Sequence, residues 1–336
     1  MSWQSQLKGD SLTWLLESDN PGVRYLALRD LCDLPPDAPQ LLSARELAHT
    51  QGPIAAVLAE MNPEGYWVEP GPGYLPKYFS SVWSLVLLAQ LGADAAMDTR
   101  ISQAVRYMLE HGLAQHGQFS TNGAPSGTAD CLQGNLCWAL TALGCTDSRL
   151  DTAFEWLARS VTGDGIAPMT ERNAPIRYYA GKCGPLFACG ANDKQPCAWG
   201  AAKVMLALSC YPLDRRTSQI ERAIQQGVDF LFSIDPVTAG WPSPYAPKPS
   251  GNWWKFGFPV FYVTDLLQII EGLVVLGYSQ DPRLADALQL VLGKQDSNGR
   301  WSLEYEYSGK TWGDFGDKKK PNPWVTLRVL KVLKSL

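Results

Sequence analysis

Four cysteines are the residues of this sequence whose chemistry can be inferred most directly. Cys183, Cys189 and Cys197 lie in a glycine-containing stretch, and Cys131 stands earlier in the chain next to Asp130. Thiolates bind zinc and iron–sulfur centres, and the N-terminus of a helix favours their deprotonation. We therefore predict a zinc or iron site built from these four cysteines. The alternative is burial as small hydrophobic residues, a common fate of free cysteines.

The number of ligands would set the role of such a metal. Four thiolates indicate a closed structural zinc, whereas three thiolates and an open position indicate a catalytic one. The intervals of five and seven residues between Cys183, Cys189 and Cys197 differ from the Cys-x-x-Cys spacing of many zinc sites. His116, in an earlier loop, is a further candidate ligand, with an ordinary surface histidine as the alternative.

A second group of residues includes a candidate acid. Asp265 lies in an apolar run, three residues after Tyr262. Burial among aromatic side chains would raise the pKa of this carboxyl, as a general acid requires. We predict catalytic roles for Asp265, Tyr262 and Cys131. The alternative for Asp265 is a structural carboxylate that caps a loop or pairs with a lysine or arginine.

Aromatic and basic side chains near the starts of predicted helices are candidates for substrate contact. Tyrosine and tryptophan can line a hydrophobic cavity and stabilise flat or cationic ligands, although the same rings also serve as plain packing. A lysine there can hold a carboxylate or a phosphate, although solvated lysines are common. The predicted substrate-binding residues are Lys77, Tyr78, Tyr178, Tyr179, Trp253 and Trp254.

Helix hairpins are the elements that must position these residues. A Leu-Gly pair ends one helix at Gly92, Gly144 and Gly277, and an aspartate near the start of the next helix follows in each case. One set of predicted helices is strongly apolar and therefore inner, and the other carries a charged face and is therefore outer. The inner helices are 22–33, 77–91, 127–143, 195–210, 258–276 and 322–336, and the outer helices are 10–18, 43–61, 98–112, 148–161, 215–233 and 282–295.

Six inner and six outer helices predict an all-α fold, an (α/α)6 barrel or toroid, as a single domain over residues 1–336. The turns from inner to outer helices are short, whereas the loops from outer to inner helices are long. All long loops then lie at one end, around the N-termini of the inner helices, where sites are usually built. This topology places Cys131, Cys183, Cys189 and Cys197 together at that end.

A repeated turn motif agrees with this architecture. Gln295, Gly299 and Trp301 form a Gln-x-x-x-Gly-x-Trp pattern, and Gly65-Tyr66-Trp67 is a partial copy. The motif resembles the repeat of the squalene/terpene cyclase and protein prenyltransferase superfamily, and the hairpin spacing agrees over nearly the whole chain. The resemblance implies an α/α toroid with a central cavity for an isoprenoid, a steroid or another hydrophobic substrate.

The acid and metal motifs of that superfamily are missing or incomplete. The Asp-x-Asp-Asp acid of class II terpene cyclases and the Asp-Asp-x-x-Asp magnesium motif are absent. Protein prenyltransferases of this fold bind zinc through an Asp-x-Cys pair and a later histidine. Asp130-Cys131 is one residue short of that pair, and no histidine follows on the next inner helices. The resemblance therefore transfers only Cys131.

Composition narrows the classes of function. Of 336 residues, 46% are hydrophobic and 18% charged, and the net charge of −4 argues against nucleic acid as a partner. The sequence shows no apolar run of membrane-spanning length, and we expect a cytoplasmic protein whose cysteines are not disulfides. The leading hypothesis is an enzyme, a cyclase, lyase, isomerase or transferase, that acts on a hydrophobic small molecule. The alternatives are a carbohydrate-active enzyme and a non-enzymatic binding module with a structural zinc.

Overall fold

Helices dominate the computed structural model of the chain, which describes residues 3–17, 19–167, 171, 173, 181–243 and 248–336. A single short antiparallel pair of strands, β1 (Ala188–Cys189) and β2 (Gln195–Pro196), accompanies them in the described residues. The all-α class is confirmed. The helices are α1 (Ser11–Leu15), α2 (Pro21–Leu31), α3 (Pro39–Thr50), α4 (Pro53–Ala59), α5 (Ser81–Gln90), α6 (Thr99–His111), α7 (Asp130–Ala142), α8 (Ser148–Thr162), α9 (Ala198–Cys210), α10 (Ser218–Leu231), α11 (Leu266–Leu273), α12 (Ala285–Gly293) and α13 (Pro323–Lys334).

Aspartates cap the predicted hairpins as their sequence pattern indicates. Asp98 and Asp147 each accept a hydrogen bond at 2.9 Å from the backbone N–H two residues further on. Asp281 makes the same contact at 2.9 Å before α12. These bonds satisfy backbone donors that a helix start leaves free.

Two predicted helices differ from the structure. The outer helix 43–61 is divided into α3 and α4, because Gly52 adopts a left-handed φ of 75° and Pro53 begins the second helix. The inner helix 258–276 begins only at Leu266. Pro259 has no N–H to donate to a helix, and Asp265 caps the later start by accepting a hydrogen bond from the N–H of Gln268 at 2.9 Å.

The segment 256–264, which was predicted to be partly helical, instead runs between helices. Its Val260 is bound at both backbone groups by the side-chain amide of Gln90 on α5, at 2.7 and 2.9 Å. Phe258 stacks on Trp324 of α13 with ring centroids 4.6 Å apart. The segment therefore joins α13 to α5 and fills space between them.

The apolar helices pack one against the next. Helix α5 contacts α7, α7 contacts α9, α9 contacts α11, α11 contacts α13, and α13 contacts α2. The charged-face helices pack outside this row, with α3 on α2, α6 on α5, α8 on α7, α10 on α9 and α12 on α11. The α7–α9 pair is especially close, since a Cβ at Gly134 would lie 2.3 Å from the backbone of Lys203. One cluster of buried hydrophobic residues extends from Leu15 to Leu333.

Trp67 and Trp301 make equivalent contacts in the two turn motifs. Each indole N–H donates to the carbonyl ten residues earlier, Val57 at 2.8 Å and Val291 at 2.7 Å, and both rings are fully buried. Gly299 has a left-handed φ of 72° and lies in the turn that follows α12, which ends at Gly293. Two aromatic rings thus fasten two loops to the preceding helices.

Gln295 acts at a distance from its own turn. Its Oε1 accepts from the N–H of Lys8 at 2.9 Å, and its Nε2 donates to the carbonyl of Gln6 at 3.1 Å. The side chain therefore holds the N-terminal segment against the last long loop.

Lys203 of α9 is a buried cation with 1% of its surface exposed. Its Nζ donates to Oε1 of Gln268 on α11 at 2.5 Å. Burial lowers the pKa of Lys203 to about 7, against the opposing effect of the Asp265 charge.

Among the described residues, no helix combines the length and the apolar character needed to span a bilayer.

Candidate active site

A cavity of about 870 Å³ opens among the loops that precede α5, α7, α9 and α11. It lies at the N-terminal ends of the apolar helices, where the long loops were predicted to build a site. Aromatic rings form much of its wall, and Trp253 packs against Trp241 with centroids 5.1 Å apart. Such a space has the volume of a small-molecule site. The aromatic lining residues are Tyr74, Trp199, Trp241, Trp253 and Tyr262.

Six of the predicted site residues line this cavity. Lys77 places its Nζ 4.7 Å from the ring centroid of Tyr262, as a cation over an aromatic face. Burial raises the pKa of the Tyr262 hydroxyl, which keeps it protonated. The six are Lys77, Cys131, Cys189, Cys197, Trp253 and Tyr262.

Other predicted residues lie elsewhere. Tyr78 packs against Phe261 and Tyr307, with centroids 5.4 and 4.5 Å away. Trp254 donates its indole N–H to the carbonyl of Val237 at 2.8 Å. Neither residue is in the described lining of the cavity. Tyr178 and Tyr179 fall outside the described residues, so their predicted role is not addressed.

Asp265 has the contacts of a structural carboxylate. It is 3% exposed, and its two oxygens accept hydrogen bonds from Arg328 of α13 at 2.9 and 3.1 Å. It also caps α11, and it is not a lining residue of the cavity. This is the pairing with an arginine that the sequence left open as the alternative. The catalytic role of Asp265 stays a prediction without support from its position.

Asp130 is an acid of the cavity wall that the sequence does not single out. It is the first residue of α7, is 2% exposed, and accepts a hydrogen bond from the Cys183 thiol at Oδ1, with a Sγ–Oδ1 distance of 3.0 Å. Its Oδ2 is buried and accepts no hydrogen bond of standard geometry in the described part of the chain, although the Gly184 N–H and the Ser160 hydroxyl also act on this carboxyl and lower its pKa. Burial raises the pKa of Asp130 to about 7, and the Cys183 hydrogen bond opposes this rise. The signal in the sequence was its place beside Cys131 at the start of a predicted helix, but no role was predicted for it.

The four cysteines converge as the topology predicts. Cys183 is 1% exposed, with its Sγ 2.9 Å from Oγ of Ser160, and it lies behind Asp130. Burial raises the pKa of Cys131 to about 12. Cys131, Cys189 and Cys197 line the same cavity, and the Cys183 thiol contacts Asp130, the residue before Cys131.

Cys189 differs from the other cysteines of this group. Interaction with the Cys197 thiol lowers the pKa of Cys189, against the effect of burial. Backbone N–H groups of Ala191 and Asn192 and the charge of Lys182 act in the same direction. The same interaction raises the pKa of Cys197.

The described residues do not present a set of metal ligands. No three histidine, cysteine, aspartate or glutamate side chains among them are arranged to hold a metal ion. The Cys183 thiol is instead occupied by Asp130 and Ser160. The zinc or iron site stays a prediction.

Comparisons with known proteins give distant structural matches only. No protein-family model and no curated protein matches the chain. Among solved structures, the type II terpene cyclase MstE from Scytonema, in its apo form, matches with 16% identity and a TM-score of 0.32, over 87% of this chain and 97% of that one. A variant bound to geranylgeranyl dihydroxybenzoate matches with 16% identity and a TM-score of 0.35, over 88% and 97%. Another bound to merosterolic acid A matches with 15% identity and a TM-score of 0.34, over 88% and 96%.

Proposed function

We propose that the chain is an α/α-toroid enzyme that binds a hydrophobic small molecule, of isoprenoid or steroid type, and protonates it with Asp130. The observation that carries the proposal is a buried carboxyl on the wall of an aromatic-lined cavity of about 870 Å³. The toroid is supported by the row of contacts from α5 through α7, α9, α11 and α13 to α2, with the other helices outside it.

The surroundings of Asp130 suit a general acid. Because burial raises its pKa to about 7, a large part of the carboxyl is protonated at neutral pH. The Cys183 thiol fixes Oδ1, and Oδ2 accepts no hydrogen bond of standard geometry among the described residues. A carboxylic acid held in this way can deliver a proton to a double bond or oxygen of a bound molecule.

The aromatic wall supports a hydrophobic or cationic reactant. Trp199 stands edge-on to Tyr262 at 5.9 Å and to Trp253 at 6.3 Å. Ring faces stabilise positive charge, such as the charge that protonation of an alkene creates. The absent Asp-x-Asp-Asp motif is replaced in this proposal by one carboxyl at the start of α7.

Binding of geranylgeraniol, measured by isothermal titration, is the first test. We expect saturable binding that Trp253→Ala weakens roughly ten-fold, as loss of a stacking residue does. Trp254→Ala is the matched control, since this neighbour is not in the described lining, and it should bind like the parent chain. Cellobiose binding without geranylgeraniol binding would instead support a carbohydrate-active enzyme and overturn the proposal.

Turnover of the bound alcohol is the second part of the test. Gas chromatography should show its conversion by the parent chain, and Asp130→Asn should lose conversion while it keeps binding. Binding with no conversion by the parent chain would exclude this substrate reaction and favour a binding module.

A further inference from the structure

Lys77 is a cation of the cavity wall that lacks an anionic partner. Its Nζ lies 4.7 Å from the ring centroid of Tyr262 and 5.7 Å from that of Tyr74, so one ammonium group adjoins two aromatic rings. All three residues line the cavity. The Lys77 side chain makes neither an ion pair nor a hydrogen bond with any described residue. Since an ammonium group carries three donors, it can bind an acceptor that a ligand supplies.

The hydroxyl groups of Tyr74 and Tyr262 are further donors beside this ammonium group. Neither hydroxyl has a hydrogen-bond partner among the described residues, and a tyrosine hydroxyl can donate at neutral pH. The rings themselves are held in place. Tyr74 packs on Trp83 with centroids 5.4 Å apart, and its carbonyl accepts a hydrogen bond from the Trp83 indole N–H at 2.8 Å. Tyr262 packs edge-on against Trp199.

The charge of the described lining favours an anionic ligand. Its three lysines are Lys77, Lys182 and Lys248, and Asp130 is its only acidic residue. The described lining is therefore positive in a chain whose net charge is −4. A cleft lined by an excess of one sign of charge attracts ligands of the opposite sign.

A carboxylate suits this site better than a diphosphate does. Phosphate groups are commonly bound with Mg²⁺, which takes carboxylate ligands from the protein, or by arginine, which binds two of their oxygens at once. The described lining has one carboxyl, that of Asp130, and no arginine. Lys182 belongs to another part of the wall, where it pairs with Ala129 just before α7. The two oxygens of a carboxylate match one ammonium group and its neighbouring hydroxyls.

We propose that Lys77, Tyr74 and Tyr262 bind the carboxylate of the ligand, which is accordingly an acid with a long apolar body. The proposal rests on the proposed function for the apolar body. Trp199 packs against Tyr262 at 5.9 Å and against Trp253 at 6.3 Å. The carboxylate subsite therefore lies at one end of a row of rings, and the apolar body extends along that row.

Isothermal titration of geranylgeranoic acid and geranylgeraniol, which share one apolar chain, tests the proposal. We expect the parent chain to bind the acid roughly five-fold or more tightly than the alcohol, because charge-assisted hydrogen bonds are stronger than neutral ones. Lys77→Gln should remove this preference and leave alcohol binding unchanged. Lys255→Gln is the matched control, because Lys255 is exposed and is absent from the described lining. It should keep the preference for the acid.

Two further variants test the hydroxyl groups. Tyr74→Phe and Tyr262→Phe each remove one hydroxyl and keep the ring. Each should weaken binding of the acid roughly three-fold or more, as loss of a hydrogen bond to a charged group does. Binding of the alcohol should change less.

The outcomes separate this proposal from the proposed function. Failure of the acid to bind, or equal binding of the acid by the parent chain and Lys77→Gln, would overturn the carboxylate subsite, and geranylgeraniol binding would still support the proposed function. Benzoate binding that depends on Lys77 and is as tight as that of geranylgeranoic acid would support the subsite and exclude the long hydrophobic substrate. Geranylgeranyl diphosphate binding that depends on Lys77 and is tighter than that of the acid would overturn the choice of a carboxylate.

Discussion

At the scale of single residues, the surroundings of Asp265 and Asp130 differ from what the sequence pattern suggests. Asp265 sits in an apolar run and was the natural candidate for a perturbed acid, but Arg328 holds it at 2.9 Å. That arginine lies more than sixty positions away, and periodicity does not show which cation will face a buried carboxyl. Among the described residues Asp130 has no ion pair with a lysine or arginine, and its Oδ1 accepts a hydrogen bond from the weakly acidic Cys183 thiol.

Replacement of Lys203 by methionine should remove a pH-dependent part of the stability. Because the pKa of Lys203 falls from 10.5 to about 7 on folding, the unfolded chain binds more protons between these values, and this group favours folding increasingly as pH rises. Each pKa unit corresponds to about 1.4 kcal/mol. Lys203→Met should therefore stabilise the chain more at pH 7 than at pH 9.5.

Urea unfolding of the parent chain and of Lys203→Met across that pH range is the measurement. The quantity to compare is the difference between the two chains in the free energy of unfolding at each pH. The cysteine thiols also titrate in this range, but they are common to both chains and cancel in the difference. In the variant, Oε1 of Gln268 still accepts a hydrogen bond from the Thr264 hydroxyl, whose Oγ1 lies 2.5 Å away. A difference that is constant with pH would show that Lys203 stays charged in the folded chain.

At the scale of elements, hydrophobic patterning predicts that a helix is present better than it predicts the residue at which the helix begins. The caps at Asp98, Asp147 and Asp281 lie where local sequence places them. The late start of α11 depends instead on Pro259 and on the partners that hold segment 256–264, including Gln90 from α5. Those partners are distant in sequence, so an apolar run alone predicts a longer helix.

Removal of Arg328 from the buried ion pair between α11 and α13 should strongly destabilise the fold. Arg328 binds both Asp265, at 2.9 Å, and Glu271, at 2.9 Å, in a buried position. Arg328→Met would leave the Asp265 charge buried without its partner, at a cost of about 3–5 kcal/mol. Chemical denaturation measures this loss. Lys320→Met is the control, since the Lys320–Asp317 pair is exposed, and an equal effect of the two changes would contradict the prediction.

At the scale of the whole molecule, long loops alternate with short ones along the sequence. This alternation predicted that a cavity would lie at the N-terminal ends of the apolar helices, where the long loops gather. Cys131, Cys189 and Cys197 do meet in one cavity there. The internal packing was less predictable: Tyr78 and Phe261, which an open barrel would present to a ligand, stack on each other. Aromatic side chains fill space as readily as they line it, and sequence does not distinguish the two uses.

Contact between the first and last parts of the chain can be tested at two glycines. Gly299 and Gly309 both have left-handed φ values, 72° and 70°, but only at Gly299 would a Cβ meet the backbone of Gly9, at 2.8 Å. Gly309→Ala should lose about 1–2 kcal/mol through φ strain alone. Gly299→Ala should lose more, because it also displaces the N-terminal segment.

Thermal unfolding and limited proteolysis of the two variants separate these effects. Gly299→Ala should open the N-terminal segment to protease, whereas Gly309→Ala should not. Equal stability losses and equal protease resistance would show that the contact with Gly9 adds nothing to the fold.

The segment held by Gln90 also limits what the cavity can accept. Tyr262 belongs to this segment and lines the cavity, and two hydrogen bonds fix the neighbouring Val260 to α5. Neither Gln90 nor Val260 is a lining residue, so the position of Tyr262 on the cavity wall is set by a contact that lies outside the cavity. Replacement of Gln90 would therefore change the shape of the cavity without altering any residue of its wall.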